Sequence, residues 1–178
     1  MVTDRELTIA ALDAGSAEAA IPALGALLHA CVQDGASIGF VLPFEPAEAE
    51  AFWRTRVLPE VAAGTRLLLV AREGGRIAGS AQLFHGTPAN QPHRAEVAKL
   101  LVDPACRRRG IARALMAELE TAARGLGRSL LTLDTRTGDS AEPLYASLGF
   151  ATAGVIPGYC LDARDRRLDS TTIMYKAL

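Results

Sequence analysis

The strongest constraint on how this chain folds is a short segment, Arg107 to Ala112, in which three arginines and a glycine separate two patterned stretches. The stretch before it, Val97 to Val102, is mostly apolar and predicts a buried strand. The stretch after it, Ile111 to Arg124, repeats apolar residues at helical spacing and predicts an amphipathic helix. A strand that passes through a tight turn into a helix is half of a parallel crossover, so the segment predicts an α/β fold.

The same turn predicts an anion-binding site. The first N–H groups of a helix have no partners inside the helix, and the helix dipole favours negative charge there. Gly110 has no side chain to obstruct a phosphate, and the arginines add positive charge. We predict that the backbone N–H groups of about Arg108 to Arg113 bind a pyrophosphate. The alternative is a charged surface turn that only starts a helix.

Composition narrows the class of protein. The chain has 178 residues, and we expect residues 1–178 to form one domain with a sizeable core. Apolar residues make up 49% of it, which predicts a folded protein rather than a disordered one. The net charge of −1 argues against a nucleic-acid partner, in spite of the three consecutive arginines.

Cysteine usage and the N-terminal residues predict a cytoplasmic protein. The three cysteines are far apart and have neither disulfide-framework nor metal-ligand spacing, so we predict reduced thiols and no metal. Charged residues at Asp4, Arg5 and Glu6, with no long apolar run, argue against a signal peptide. We find no stretch close to the ~20 apolar residues of a membrane-spanning helix and expect no membrane partner.

Periodicity predicts the element order β-α-α-β-β-β-α-β-α-β-β. This order predicts an α/β fold with a mixed, partly antiparallel central sheet and helices on both faces. The strands Val97–Val102 and Leu130–Asp134 should be parallel neighbours, which brings Arg107–Arg113 and Asp134–Asp139 to one edge of the sheet. Three local predictions accompany this order: one helix over Glu45–Val61, a capping box between Asp139 and Glu142, and a solvated turn over Asp162–Asp169.

Two motifs resemble one family. Arg107, Gly110, Ile111 and Ala112 form an R-x-x-G-x-A pattern similar to the coenzyme A signature of the GNAT family of N-acetyltransferases, and the stretch Leu144–Phe150 resembles the downstream part of that family's pattern. Three further stretches resemble the tabtoxin-resistance type within the family: Gly35–Phe40, Arg94–Leu101 and Leu133–Asp139.

The resemblance implies a central sheet of about seven strands that binds acetyl-CoA as co-substrate. The central strand would separate from its parallel neighbour near Leu101, and the pantetheine arm would lie in the gap. An N–H group of Leu101 or Val102 would then polarise the thioester carbonyl. The residues expected to bind acetyl-CoA are Leu101, Val102, Arg107, Arg108, Arg109, Gly110, Ile111, Ala112 and Arg113.

Three side chains are candidates for catalysis. The resemblance implies that Tyr145 is the general acid that protonates the departing thiolate; the alternative is a core aromatic residue. Glu96 and Asp134 occupy otherwise apolar strands, and either could accept the proton of the attacking amine or bind its ammonium form. Alternatively, Glu96 pairs with Lys99 or Arg94 in solvent, and Asp134 only caps a turn.

The expected function is acetyl-CoA-dependent N-acetyl transfer to a primary amine, by direct attack within a ternary complex. The resemblance favours a small-molecule acceptor such as an amino-acid-like toxin or antibiotic. Three alternatives stay open: a protein lysine or N-terminal acetyltransferase, a non-catalytic acyl-CoA-binding regulatory domain, and a surface module that uses its arginines on acidic partners. Homo-oligomers are compatible with the sequence.

Overall fold

The computed structural model describes residues 6–178, so Asp4 and Arg5 lie outside the described part. Seven strands form one sheet in the order β1-β2-β3-β4-β5-β7-β6. The strands are β1 (Leu7–Leu12), β2 (Arg66–Glu73), β3 (Arg76–Phe84), β4 (Arg94–Val102), β5 (Leu130–Arg136), β6 (Ala151–Leu161) and β7 (Leu168–Ala177). The helices are α1 (Ala14–Gln33), α2 (Pro46–Phe52), α3 (Leu58–Ala62), α4 (Ile111–Gly125) and α5 (Ala141–Ser147).

The predicted fold class is confirmed. The strands β4 and β5 are parallel, as expected from the helix α4 that connects them, and the other neighbouring strands are antiparallel. Apolar residues of α4 pack on one face of the sheet, where Leu115 and Leu119 are fully buried. Apolar residues of α1 and α2 pack on the other face, so helices cover both sides.

We expected no stretch with the length and composition of a membrane-spanning helix, but the helix α1 has both. By length and composition its 20 residues meet the criteria for a spanning helix, with a mean hydropathy of 1.3 over the most apolar window. However, half of that window is buried inside the fold, and Leu24 and Leu28 pack against the sheet. Its apolar character is therefore explained by the core.

The predicted single helix over Glu45–Val61 is wrong in detail. Between α2 and α3 the chain forms a wider π-helical turn at Trp53–Val57, in which the amide of Leu58 donates to the carbonyl of Trp53. Pro59 has no N–H to continue the regular pattern, which explains why the turn widens there. The wider turn brings Val57 into the core and Arg56 to a cavity described below.

The solvated turn predicted at Asp162–Asp169 is confirmed for residues 164–167, which are exposed, but it is wrong for Asp162, which is only 6% exposed. Its carboxylate accepts from Arg136 Nη1 at 2.9 Å and from the backbone amide of Arg164 at 2.8 Å. Arg136 also pairs with Asp139 at 3.2 Å, so a single guanidinium joins the end of β5 to the β6–β7 connection. Asp139 and Asp162 offset the free-energy cost of burying the positive charge of Arg136.

The capping box predicted between Asp139 and Glu142 does not form. Asp139 Oδ1 accepts from the neighbouring amide of Ser140 at 2.6 Å, and Glu142 Oε2 accepts from the amide of Gly138 at 2.7 Å. The two side chains therefore stabilise the loop before α5 separately, because Ser140 is the residue that precedes the helix.

Candidate active site

The parallel strands β4 and β5 separate soon after they meet. Their paired residues run only from Arg94 and Leu130 to Glu96 and Thr132. Beyond that point the pairing of β4 with β3 shifts by one residue between Ala98 and Leu101, which is a β-bulge. The gap between the strands belongs to a cavity of about 910 Å³. Residues 97–102 of β4 form one wall of it.

One backbone amide of β4 is directed into this gap. The amide of Asp103 donates to Ala78 on β3 at 2.9 Å, and Leu101 is paired with Ser80 on the same strand. Because successive strand amides point to opposite edges, the N–H of Val102 faces the gap. The sequence left Leu101 and Val102 as equal candidates, whereas the geometry favours Val102. The Leu101 side chain is buried against α1.

The turn before α4 presents a row of open backbone donors. Arg108 and Gly110 have positive φ angles of 62° and 81°, and no side chain caps the start of the helix. Within residues 6–178, none of the amides from Arg107 to Arg113 donates a hydrogen bond to another protein group. Such a turn at a helix N-terminus is an anion-binding concavity.

The backbone conformation at position 110 is one that favours glycine. A Cβ atom built at Gly110 would meet no protein atom within 4 Å, so crowding within the protein does not demand glycine here. Its φ of 81° is in the left-handed region, which costs other residues about 1–2 kcal/mol. Gly110 itself lines the cavity.

The arginines of the turn do not act alike. Arg107 Nη1 pairs with Asp34 Oδ2 at 2.5 Å, and Arg113 Nη2 donates to Ser147 Oγ at 2.8 Å; both residues line the cavity. Arg108 lines the cavity too, and it has no ion pair in the described chain. The Arg109 side chain instead pairs with Glu73 at 2.9 Å and lies outside the cavity. The ion pair with Glu73 therefore leaves the backbone amide as the group of Arg109 that could contact a ligand.

Tyr145 lines the same cavity from α5. Its ring is buried and packs on Phe150 with 5.9 Å between ring centroids. Burial raises the pKa of its hydroxyl well above the usual value, and the charges of Asp134 and Asp139 raise it further. The hydroxyl makes no hydrogen bond to any residue in the described part of the chain, so it is a protonated and unengaged donor.

The two candidate carboxylates lie on neighbouring strands and both line the cavity. Glu96 Oε2 is 3.6 Å from Arg94 Nη1, which is one of the two pairings expected for it, and its side chain is 46% exposed. Asp134 Oδ2 accepts from Thr171 Oγ1 at 3.2 Å. Since β4 and β5 diverge between them, both carboxylates border the gap, and either is accessible to an amine.

Cys31 also lines the cavity, and its side chain is buried. Burial raises its pKa to about 11, so the thiol stays protonated at neutral pH. It donates weakly to the carbonyl oxygen of Val102 at 3.5 Å.

Two polar residues at a second, adjoining cavity were not identified as candidates from the sequence. This cavity has a volume of about 460 Å³ and shares Glu96 and Lys99 with the larger one. Lys99 was considered only as an ion-pair partner of Glu96, but the two side chains form no such pair. Gln82 gave only the weak signal of a polar residue inside an apolar strand, and it is fully buried at the cavity wall.

Comparisons with known proteins agree with this geometry. Residues 25–150 match the family model described as the acetyltransferase (GNAT) family. The chain is 35% identical over 125 residues to an N-acetyltransferase encoded between hisH and hisA in Azospirillum brasilense, covering 68% of this chain and 71% of that protein. It is 39% identical over 107 residues to the N-alpha-acetyltransferase RimI of Mycobacterium tuberculosis, covering 56% of this chain and 64% of that protein.

A similar fold occurs in YncA of Salmonella typhimurium, described as a candidate acetyltransferase and solved with its cofactor acetyl-CoA. The two share 22% identity with a TM-score of 0.76, over 97% of this chain and 94% of that one. Because the family model matches residues 25–150, and the Azospirillum relative is 35% identical over two thirds of this chain, the chain belongs to the GNAT family of acetyltransferases.

Proposed function

We propose that the protein transfers the acetyl group of acetyl-CoA to the primary amine of a small molecule, by direct attack within a ternary complex. The observation that carries this proposal is the row of unpartnered amides from Arg107 to Arg113 at the edge of the gap between β4 and β5. A pyrophosphate fits these donors, and the unpaired edge of β4 offers hydrogen-bonding groups to the amides of the pantetheine arm.

Each candidate residue has one step in this reaction. The N–H of Val102 polarises the thioester carbonyl, which stabilises the oxyanion that forms when the amine attacks. Glu96 or Asp134 accepts the proton that the amine loses, directly or through water. Tyr145 donates its proton to the departing thiolate, and its raised pKa supports this role because the hydroxyl stays protonated.

The acceptor class is part of the proposal. The resemblance to the tabtoxin-resistance type favours an amino-acid-like acceptor, and the 460 Å³ cavity next to Glu96 has the size of a small-molecule site. The likeness to RimI favours a second candidate, the N-terminal amine of a protein. A screen that measures release of the coenzyme A thiol with small amines and with peptides tests both. If neither the small amines nor the peptides cause release of the coenzyme A thiol, acetyl transfer is contradicted.

The first prediction concerns the side chain of Arg108. Replacing Arg108 with Ala should raise the Kd for acetyl-CoA less than about fivefold, because an exposed charge contributes roughly 1 kcal/mol or less and the amides are unchanged. Calorimetry with the purified variant measures this directly. A hundredfold loss would mean that the side chain, and not the backbone, holds the pyrophosphate.

The second prediction concerns the base. A Glu96→Gln, Asp134→Asn double variant should lower kcat/KM about 100-fold at neutral pH, because the amine must then lose its proton to bulk water. The defect should shrink as pH rises, since a growing share of the acceptor is already a neutral amine. The single variants identify which carboxylate acts, and Glu118→Gln on the exposed face of α4 is the matched control. A double variant with wild-type rates across the pH range would remove both residues from the mechanism.

A further inference from the structure

The smaller cavity lies on the side of the sheet covered by α1 and α2, next to the bulge of β4. Its wall includes Phe40 and Phe52 from that side, and Glu96, Ala98 and Lys99 from β4. The last three also belong to the wall of the larger cavity. A molecule in the smaller cavity therefore reaches the gap between β4 and β5 at Glu96.

Positive charge exceeds negative charge in the smaller cavity. Both carboxylates in its wall already have partners: Glu60 pairs with Arg66 at 2.5 Å, and Glu96 pairs with an arginine of its own strand at 3.6 Å. By contrast, Lys99 and Arg56 have no carboxylate within ion-pair distance among residues 6–178. Neither cation is therefore held in a close ion pair, although the charges of Asp134 and Glu96 act on Lys99 from a longer distance.

The bulge of β4 is what brings Lys99 to the cavity. Lys99 has a φ of 49°, which side-chain-bearing residues seldom adopt, and Ala98 and Lys99 both line the cavity although neighbouring strand residues ordinarily face opposite sides. Its ammonium lies 5.9 Å from the centre of the Phe52 ring. Burial lowers the pKa of Lys99, as expected for a cation removed from water without a full set of partners.

The side-chain amide of Gln82 provides an independent indication of a ligand. Gln82 is 0% exposed, and its Oε1 accepts from Arg66 Nη1 at 2.6 Å. Because arginine can only donate, this bond fixes which end of the amide is oxygen. The Nε2 group is left buried in the cavity wall without an acceptor. A buried donor of this kind is stabilised when a ligand oxygen reaches it.

We propose, building on the function proposed above, that Lys99, Arg56 and the amide of Gln82 bind an oxyanion that the acceptor itself carries. The acceptor is then a free amino acid or a close analogue: its amine meets Glu96 at the junction of the two cavities, and the three donors hold its carboxylate. A neutral amine, or a lysine side chain of a protein, would leave the buried amide of Gln82 without an acceptor and Lys99 without a close ion-pair partner, whereas Arg56 is exposed to water.

The test compares free L-amino acids with their carboxamides as acceptors for acetyl-CoA, with peptides as a third arm. The better free acids should have a kcat/KM about 10-fold or more above that of the matched amides. At neutral pH the less basic amine of the amide is deprotonated to a larger extent, so the supply of neutral amine favours the amide and does not produce this preference. In the Lys99→Met and Gln82→Leu variants, the ratio of kcat/KM for the free acid to kcat/KM for the amide should fall towards one. The Kd for acetyl-CoA should stay at the wild-type value. Arg54→Gln is the control, because Arg54 is an exposed cation two positions from Arg56 and does not line the cavity.

Binding of the free acids to protein saturated with coenzyme A, measured by calorimetry, separates this inference from the proposed function. Amides or peptides that are acetylated as well as the acids overturn the inference and leave acetyl transfer intact. An acid preference that both variants retain, or a wild type that neither acetylates nor binds any free acid, also overturns it. Acids that bind in a Lys99-dependent way without release of coenzyme A support the anion site and contradict the proposed turnover.

Discussion

Replacing Gly110 with Asp should raise the Kd for acetyl-CoA about 100-fold or more. The substitution places a carboxylate beside the open amides of Arg107–Arg113, where a pyrophosphate would bind. Two like charges about 4 Å apart near a protein surface repel by roughly 4 kcal/mol, which exceeds the 2.7 kcal/mol that corresponds to a hundredfold change. The φ of 81° adds backbone strain of about 1–2 kcal/mol.

Gly127 offers a matched control for that strain. It has a φ of 70°, a Cβ there would also meet nothing within 4 Å, and it follows the opposite end of α4. Gly127→Asp should therefore lose at least as much stability, because a carboxylate is unfavourable at a helix C-terminus, but keep its affinity for acetyl-CoA. The variants Gly110→Ala and Gly127→Ala introduce the backbone strain without a charge. Comparing each with its Asp variant therefore separates the effect of strain from the effect of charge. If Gly110→Asp binds acetyl-CoA like the wild type, the turn before α4 is not the pyrophosphate site.

Replacing Tyr145 with Phe should lower kcat about 100-fold and change the Kd for acetyl-CoA little. The phenyl ring keeps the packing on Phe150, and the lost hydroxyl makes no hydrogen bond to the described residues, so the fold should be unaffected. What is lost is the proton donor for the thiolate. Steady-state kinetics with saturating acetyl-CoA measures the effect.

Tyr175→Phe is the control for this variant, because Tyr175 is 43% exposed on β7 and does not line the cavity. It should keep the wild-type kcat. A Tyr145→Phe enzyme with full turnover would show that water or another group protonates the leaving thiolate. A large rise in the Kd for acetyl-CoA without loss of kcat would assign Tyr145 to binding.

The parts of the site that follow from local sequence were predictable. The turn before α4 is one example, because a glycine and the start of an amphipathic helix predict, within a few residues, a turn with open backbone amides. The parallel pairing of β4 with β5 is another, since a single helix connects them.

The parts that depend on distant residues were not predictable. The Arg109 side chain is held outside the cavity by Glu73, which is 36 positions away in the chain. Lys99 reaches the acceptor side because β4 forms a bulge against β3, and no periodicity within β4 indicates where an extra residue is inserted. The orientation of the Gln82 amide is set by a hydrogen bond from Arg66 on the neighbouring strand. In each case the decisive partner is distant in sequence and is brought close only by the fold.

A titration of the ¹⁵N-labelled protein, followed by the amide signals of the turn, tests the central claim most directly. Coenzyme A should shift the amide resonances of Arg108 to Arg113 strongly, since they would donate to its pyrophosphate. Pantetheine, which lacks the pyrophosphate, should perturb β4 near Val102 and leave those resonances in place. Equal shifts with both ligands, or a turn that coenzyme A leaves unperturbed, would contradict the assignment of this turn as the pyrophosphate site.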